Sequence, residues 1–140
     1  MGAERAAVAE IGVLIYPGAQ MAAVHGLTDL FAVANRIAGE HQAAQLPLLR
    51  VSHWQVEGDQ PPARVYDSLP GTESHLLAVL IPPSIGGFSA SHMPAALAPW
   101  LREQHAKGAT LGGVCVGSLM LAESGLLDGR SATTHWTSTK

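Results

Sequence analysis

Thr110-Leu-Gly-Gly-Val-Cys-Val-Gly117 is the stretch whose reading decides the fold. It opens as a short apolar run, closes in Gly-x-Cys-x-Gly, and passes into Ser118-Leu-Met-Leu-Ala-Glu123, which reads as helix. A strand that turns sharply into a helix at a nucleophile-type residue is an elbow. Glycines two positions away on each side are needed because strand and helix come too close there for a side chain. Cys115 is therefore expected at the tip, in a strained backbone conformation, with its sulfur near the first amides of the helix. A positive helix end of that kind favours thiolate over thiol. The N–H groups of Val116 and Gly117 are expected to converge on the same point, as in an oxyanion hole. The competing reading is a lone cysteine packed as a small buried hydrophobe. The strand before it and the helix after it favour the elbow.

Working outward, the rest of the chain supplies a sheet for that elbow. Ile11 to Tyr16 is apolar on both faces and stops at Pro17-Gly18, as a buried strand of a parallel sheet does. From Gln20 to about Ala38, Met21, Val24, Leu27, Phe31, Ala34 and Ile37 recur every three or four residues. That spacing predicts an amphipathic helix lying on the sheet, with Gly39 as its stop. Pro47 to Gln55 is a second strand, less buried and nearer an edge on account of Arg50, Ser52 and His53. Arg64-Val-Tyr66 is a short strand within turn-rich sequence. Leu76 to Ile81 is another buried strand, ended by Pro82-Pro83 and followed by the glycine-bearing loop Ser84 to Ser91. Pro94 to Lys107 reads as helix, kinked at Pro99 or beginning there. The elbow helix is expected to end at Gly125, and Ser131 to Trp136 is β-prone.

Strands alternating with helices predict an α/β fold with a parallel sheet, in which Ile11–Tyr16, Leu76–Ile81 and Ala109–Val114 are adjacent central strands. Sites in such sheets lie at the carboxyl ends of strands. Three segments converge there: Pro17 to Gln20, Pro82 to Phe88, and the elbow.

Composition narrows the function. The chain has 140 residues, enough for one domain with a real core. A net charge of −3 and the lack of any basic cluster argue against a nucleic-acid surface. A single cysteine excludes an internal disulfide and suits a reducing cytoplasm. The acidic N-terminus is not a signal peptide, and no apolar run, Leu76 to Pro83 included, is long enough to span a membrane.

A reactive cysteine needs a base, usually oriented by a carboxylate. Of seven histidines, His135 is best placed, at the end of the strand after the elbow helix; its competing reading is a satisfied strand-end histidine. His25 stands on the first helix and faces either the elbow or solvent. The other histidines show no ligand spacing, so no metal is assigned, and nothing calls for a cofactor. The loop nearest the sulfur, Pro17 to Val24, holds no acid; Asp29 is the first after it, more than two helical turns past Gln20. Ser118 is expected to bond its own helical turn.

Gly113-Val-Cys-Val-Gly-Ser-Leu-Met-Leu-Ala-Glu-Ser-Gly-Leu-Leu-Asp-Gly-Arg-Ser-Ala-Thr-Thr-His-Trp136 closely resembles the elbow and following strand of the PfpI-type, class I glutamine amidotransferase-like superfamily. More narrowly, it resembles the amidotransferase-like N-terminal domain of AraC-type transcriptional regulators. Tyr16-Pro-Gly-Ala-Gln20, Gly26-Leu-Thr-Asp-Leu-Phe-Ala-Val-Ala-Asn35 and Pro99-Trp-Leu-Arg102 carry the same likeness, which covers Ile11 to Trp136. The resemblance implies a flavodoxin-like three-layer sandwich, commonly dimeric, with Cys115 and His135 at the family's catalytic positions. Enzymatic relatives such as isonitrile hydratases carry an Asp after the first strand and a Thr after the cysteine. Here those positions are Ala23 and Val116. Regulators of this type continue past Thr-Thr-His-Trp into the rest of the domain and then a helix-turn-helix pair.

The chain is thus read as residues 1–140 of one PfpI-type domain, C-terminally incomplete, with no DNA-binding domain of its own. The expected function is ligand sensing and dimerisation in a cytoplasmic AraC-type regulator, catalytically silent. A small-molecule effector would sit among Cys115, Val116, Gly117, His135, Gly86, Gly87, Ala19 and Gln20. The rival readings are a cysteine-dependent hydrolase, hydratase or deglycase using Cys115 and His135, and a redox sensor at Cys115. An incomplete domain of this kind is expected to lean on further chain or on a second copy, because the sheet next to Trp136 lacks a covering helix.

Overall fold

The computed structural model describes residues 8–41, 49–87, 89 and 92–133. Its elements are β1 (Ala9–Ile15), α1 (Met21–His41), β2 (Leu49–Gln55), β3 (Ala63–Asp67), β4 (Leu76–Ile81), α2 (Leu97–Ala106), β5 (Thr110–Gly113) and α3 (Gly117–Glu123). The five described strands form one sheet in the order β3-β2-β1-β4-β5. All neighbours run parallel except β3, which returns antiparallel along β2. The three strands that are apolar on both faces are adjacent, as their sequences predict. β5 nevertheless stands at the edge of the described sheet, and β1 is the central strand.

Consecutive residues of β2 show that the helices lie on opposite faces. His53 meets Thr28 of α1 (2.8 Å), whereas Trp54 packs at a tilt against Trp100 of α2, 5.4 Å between ring centroids. The main core lies on the α2 side, where Leu14, Val79 and Ile81 pack with Leu97, Trp100, Leu101, Met120 and Leu121. Burying a side chain of that size contributes about 1.5–3 kcal/mol. Helix, sheet and helix make the three-layer α/β sandwich.

Several expectations give way. α1 runs through Gly39 to His41, and of its six periodic apolar residues only Val24 is buried. Met21 and Ile37 face outward. Polar bonds fix the helix instead: Thr28 bonds His53, and Asn35 exchanges two hydrogen bonds with the backbone of Leu49 (2.8 and 2.9 Å). Pro99 falls in the first turn of α2 rather than kinking a longer helix, because proline needs no intrahelical acceptor there. Arg50, Ser52 and His53 are buried rather than edge-exposed. Their partners make this possible. Arg50 forks onto Asp67 of β3, and the fully buried Glu10 accepts hydrogen bonds from Ser52 (2.6 Å), Ser74 (2.9 Å) and Arg64 (3.0 Å). Ser131 to Thr133 are irregular, and the rest of the β-prone 131–136 stretch lies outside the described residues.

Candidate functional site: the elbow and its cavity

Backbone geometry carries the site. Cys115 has φ +55°, and it is the one described non-glycine residue with positive φ, a conformation that costs a side chain of order 1–3 kcal/mol. A Cβ on Gly113 would stand 2.6 Å from the Ser118 nitrogen, and one on Gly117 would stand 2.5 Å from the Ile81 carbonyl oxygen. Both glycines are therefore forced by the closeness of the turn. Val114 N–H donates to Ile81 O (2.9 Å), tying the elbow to β4. Ser118 behaves as its position in the helix predicts, its hydroxyl donating to Cys115 O at 2.7 Å.

One expected feature is missing. The N–H of Gly117 donates to Val114 O (2.9 Å) and so closes the turn instead of facing a substrate position. Two converging backbone donors are not formed by Val116 and Gly117.

The neighbouring loops are zipped together. Gln20 N–H donates to Pro83 O (2.8 Å) and Ile85 N–H to Gly18 O (3.0 Å), with Ala19 and Ser84 bridged between them. Tyr16 ends the first strand beneath this junction and donates its hydroxyl hydrogen to Pro82 O. Burial pushes the Tyr16 phenol up to about 12, and the nearby charge of Cys115 adds to the effect. Tyr16 is thus a fixed, protonated donor, close enough to the sulfur to feel its charge.

Beside the elbow a cavity of about 470 Å³ opens between Tyr16, Ser84, Gly86, Gly87, His92 and Met120. That is ample for a small organic molecule. Gly86 and Gly87 line it. Ala19 is buried in the core, Gln20 is exposed, Val116 is half-buried and Gly117 is buried. Cys115 is half-buried. His135 lies outside the described residues. No acid stands in residues 17–24, and Asp29 is exposed on α1. Sequence reasoning overlooked Tyr16, His92 and Met120. Tyr16 had a signal, its place directly before Pro17-Gly18 at a strand's carboxyl end. His92 had none, since only the folded loop brings it to the cavity. A larger hollow, about 960 Å³, lies at the other end of the sheet around Arg50, Arg64 and Ser74. Its guanidinium groups already serve Glu10 and Asp67. Among the described residues no group of three or more His, Cys, Asp or Glu could hold a metal ion, and no helix is long and apolar enough to cross a membrane.

The elbow half of the chain decides the comparison. Residues 73–140 match the DJ-1/PfpI family. The PfpI-type resemblance read from the sequence is thereby upheld. A stretch of 41 residues is 61% identical to the HTH-type transcriptional regulator CdhR of Pseudomonas aeruginosa, covering 29% of this chain and 12% of that protein. The PfpI-type fold extends beyond the matched half. The chain superposes on a candidate transcriptional regulator protein from Vibrio parahaemolyticus with TM-score 0.68 and 20% identity, over 94% of this chain and 69% of that one. It superposes on Drosophila melanogaster DJ-1beta with TM-score 0.54 and 20% identity, over 84% and 61%. At that identity the likeness is one of fold.

Proposed function

We propose that this chain is the N-terminal ligand-sensing and dimerisation domain of a cytoplasmic AraC-type transcriptional regulator, and that its elbow is catalytically silent. The 61% identity to an HTH-type regulator over 41 residues is the observation that carries this reading. DNA contact would belong to a helix-turn-helix segment of the same polypeptide beyond these residues, since this part is acidic. The effector is a small molecule seated in the cavity that Tyr16, Gly86 and Gly87 line. Cys115, Val116, Gly117, Ala19 and Gln20, which do not line it, belong to the elbow and loop next to it, and His135 lies outside the described residues.

Silence has a chemical reason. Residues 17–24 offer no carboxylate to orient a base, Val116 stands where enzymatic relatives carry Thr, and the Gly117 N–H is spent on the turn. The retained elbow then serves as architecture, holding β4, β5 and α3 together. The rival is a cysteine-dependent hydrolase, hydratase or deglycase using Cys115 and His135. The strained conformation of Cys115 favours that rival, because strain of this kind accompanies nucleophiles. The purified full-length protein distinguishes the two. Its turnover of amide, isonitrile and glycated substrates should not exceed that of a Cys115→Ser control. Turnover lost with the sulfur at an ordinary enzymatic rate, of order 1 per second or more, would establish the enzyme instead.

A further inference from the structure

The larger hollow, about 960 Å³, opens at the amino ends of β1, β2 and β4, the end of the sheet away from the elbow. Its wall joins a charged part to an apolar one. Arg50, Arg64 and Lys107 bring positive charge, and Glu73 is the one acid among the described residues that line it. Leu76 and Leu77 supply apolar surface, and Leu77 is 54% exposed. The two arginines differ in what they have left to offer. Arg50 makes four hydrogen bonds: Nε and Nη2 donate to Asp67, and Nη1 donates to Thr72 O and Ser74 Oγ. Arg64 is fixed but largely free. It stands across from Trp54 in the register of β2 and β3, and its guanidinium lies over that ring, 5.0 Å from the centroid. One nitrogen, Nη2, donates to the buried Glu10, at 3.0 and 3.3 Å from the two carboxylate oxygens. A guanidinium carries five N–H donors. Those on Nε and Nη1 of Arg64 have no partner among the described residues, and the side chain is 35% exposed.

We infer that this hollow is a binding site for a small organic acid, whose carboxylate accepts from the free N–H groups of Arg64 and whose apolar body lies along Leu76 and Leu77. The chemistry of the ligand follows from what the wall offers. A planar guanidinium matches a carboxylate with directed N–H···O bonds. Trp54 on one side and Glu10 on one nitrogen already hold the Arg64 head in place, so little side-chain freedom is lost when a ligand arrives. A doubly charged phosphate is less well served. Arg50 has little left to donate, Lys107 is paired with Glu103 at 2.9 Å, and the buried Glu10 stands behind Arg64. One negative charge is therefore matched and a second is not. The apolar wall asks for a hydrocarbon body, which inorganic anions lack. The hollow and the elbow cavity lie at opposite ends of the strands, so the inference stands whether or not the elbow takes an effector.

Hexanoate tests it, with hexanamide as the uncharged isostere and inorganic phosphate as the alternative anion. Isothermal titration calorimetry of the full-length protein should show saturable hexanoate binding with a dissociation constant of about 1 mM or below. Hexanamide and phosphate should each bind at least about tenfold more weakly. Because Trp54 lies under the guanidinium, tryptophan fluorescence should change over the same range of hexanoate concentration. Arg64→Lys keeps the charge beside Glu10 but loses the planar head, and should weaken hexanoate at least about tenfold. Leu77→Asp, at an exposed position, sets a like charge against the carboxylate and should do the same. Circular dichroism checks that each variant is folded; should Arg64→Lys fail to fold, Leu77→Asp decides. Absence of saturable hexanoate binding to the wild type overturns the inference. So does binding that survives either substitution in a folded protein, or hexanamide or phosphate that binds as tightly as hexanoate.

Discussion

At the scale of single residues, the two elbow glycines do the most and tolerate the least. The Ile81 carbonyl oxygen blocking a Gly117 Cβ is backbone of a buried strand, and Val114 N–H already bonds it. It cannot move aside as a flexible side chain would. Gly117→Ala is therefore expected to destabilise the fold by about 3 kcal/mol, the upper range for forcing extra volume into a packed core. Urea denaturation measures this as a lower midpoint with an unchanged slope. Gly26→Ala, with open space around its Cβ, is the contrasting control and should raise helix stability by up to about 1 kcal/mol. If the two substitutions had equal effects, the close approach at the elbow would be wrong.

Elements are held by polar contacts as much as by oil. The Thr28 hydroxyl donates to Val24 O (2.8 Å), so toward His53 it can only accept, and Nε2 of His53 must carry the hydrogen. His53 is buried against α1 and lies 4.5 Å from the Tyr66 ring centroid, with His25 6.5 Å away. Burial lowers its pKa below the ordinary 6.5, and His25 lowers it further. In the unfolded chain His53 takes up a proton near pH 6.5, but in the folded one only at lower pH. Stability is thus full above pH 6.5 and is lost as pH falls toward the folded value. Thermal melts from pH 8 to 5 should show this decline, and His53→Gln should flatten it.

A second polar device joins the amino ends of β1 and β2 to the carboxyl end of the antiparallel β3. The Arg50 guanidinium holds the Asp67 carboxyl down at about 2, chiefly through their hydrogen bonds. Arg50→Met leaves the buried Glu10 with less compensation and frees Asp67, an effect expected to cost about 3 kcal/mol. Chemical denaturation at pH 7 measures it. Part of the wild type's advantage over the variant should vanish as pH falls from 4 to 2 and Asp67 protonates.

For the whole molecule, the net charge of −3 and the lack of a recognition helix among the described elements decide one property. Residues 1–140 alone should not bind duplex DNA. Fluorescence anisotropy should show no saturable, salt-sensitive binding at micromolar protein and 50 mM salt, because affinity of that kind comes from cations neutralising phosphates. Salt-sensitive binding by these residues would move DNA recognition into this part of the polypeptide.

Which parts were legible in the sequence follows from what each depends on. Gly113, Cys115 and Gly117 announced the elbow because a tight turn is a local backbone constraint, written in three positions. The apolar runs 11–16 and 76–81 announced buried parallel strands because a strand covered on both faces cannot alternate. Their adjacency followed from the same apolarity, since strands covered on both faces belong together inside the sheet. The PfpI-type resemblance was legible for the same reason, since its most specific string lies in one contiguous stretch. Tertiary structure alone decided the remainder. Arg50 and His53 looked like edge residues until Asp67, Glu10 and Thr28, distant in the chain, arrived to satisfy them. α1 looked like an ordinary amphipathic helix because periodicity counts apolar positions without saying which face meets the sheet. The Gly117 N–H looked available to a substrate until the turn closed on Val114. Local constraints are carried by neighbouring residues and can be read in order; burial, pairing and cavity walls depend on which distant segments meet, and only folding settles that.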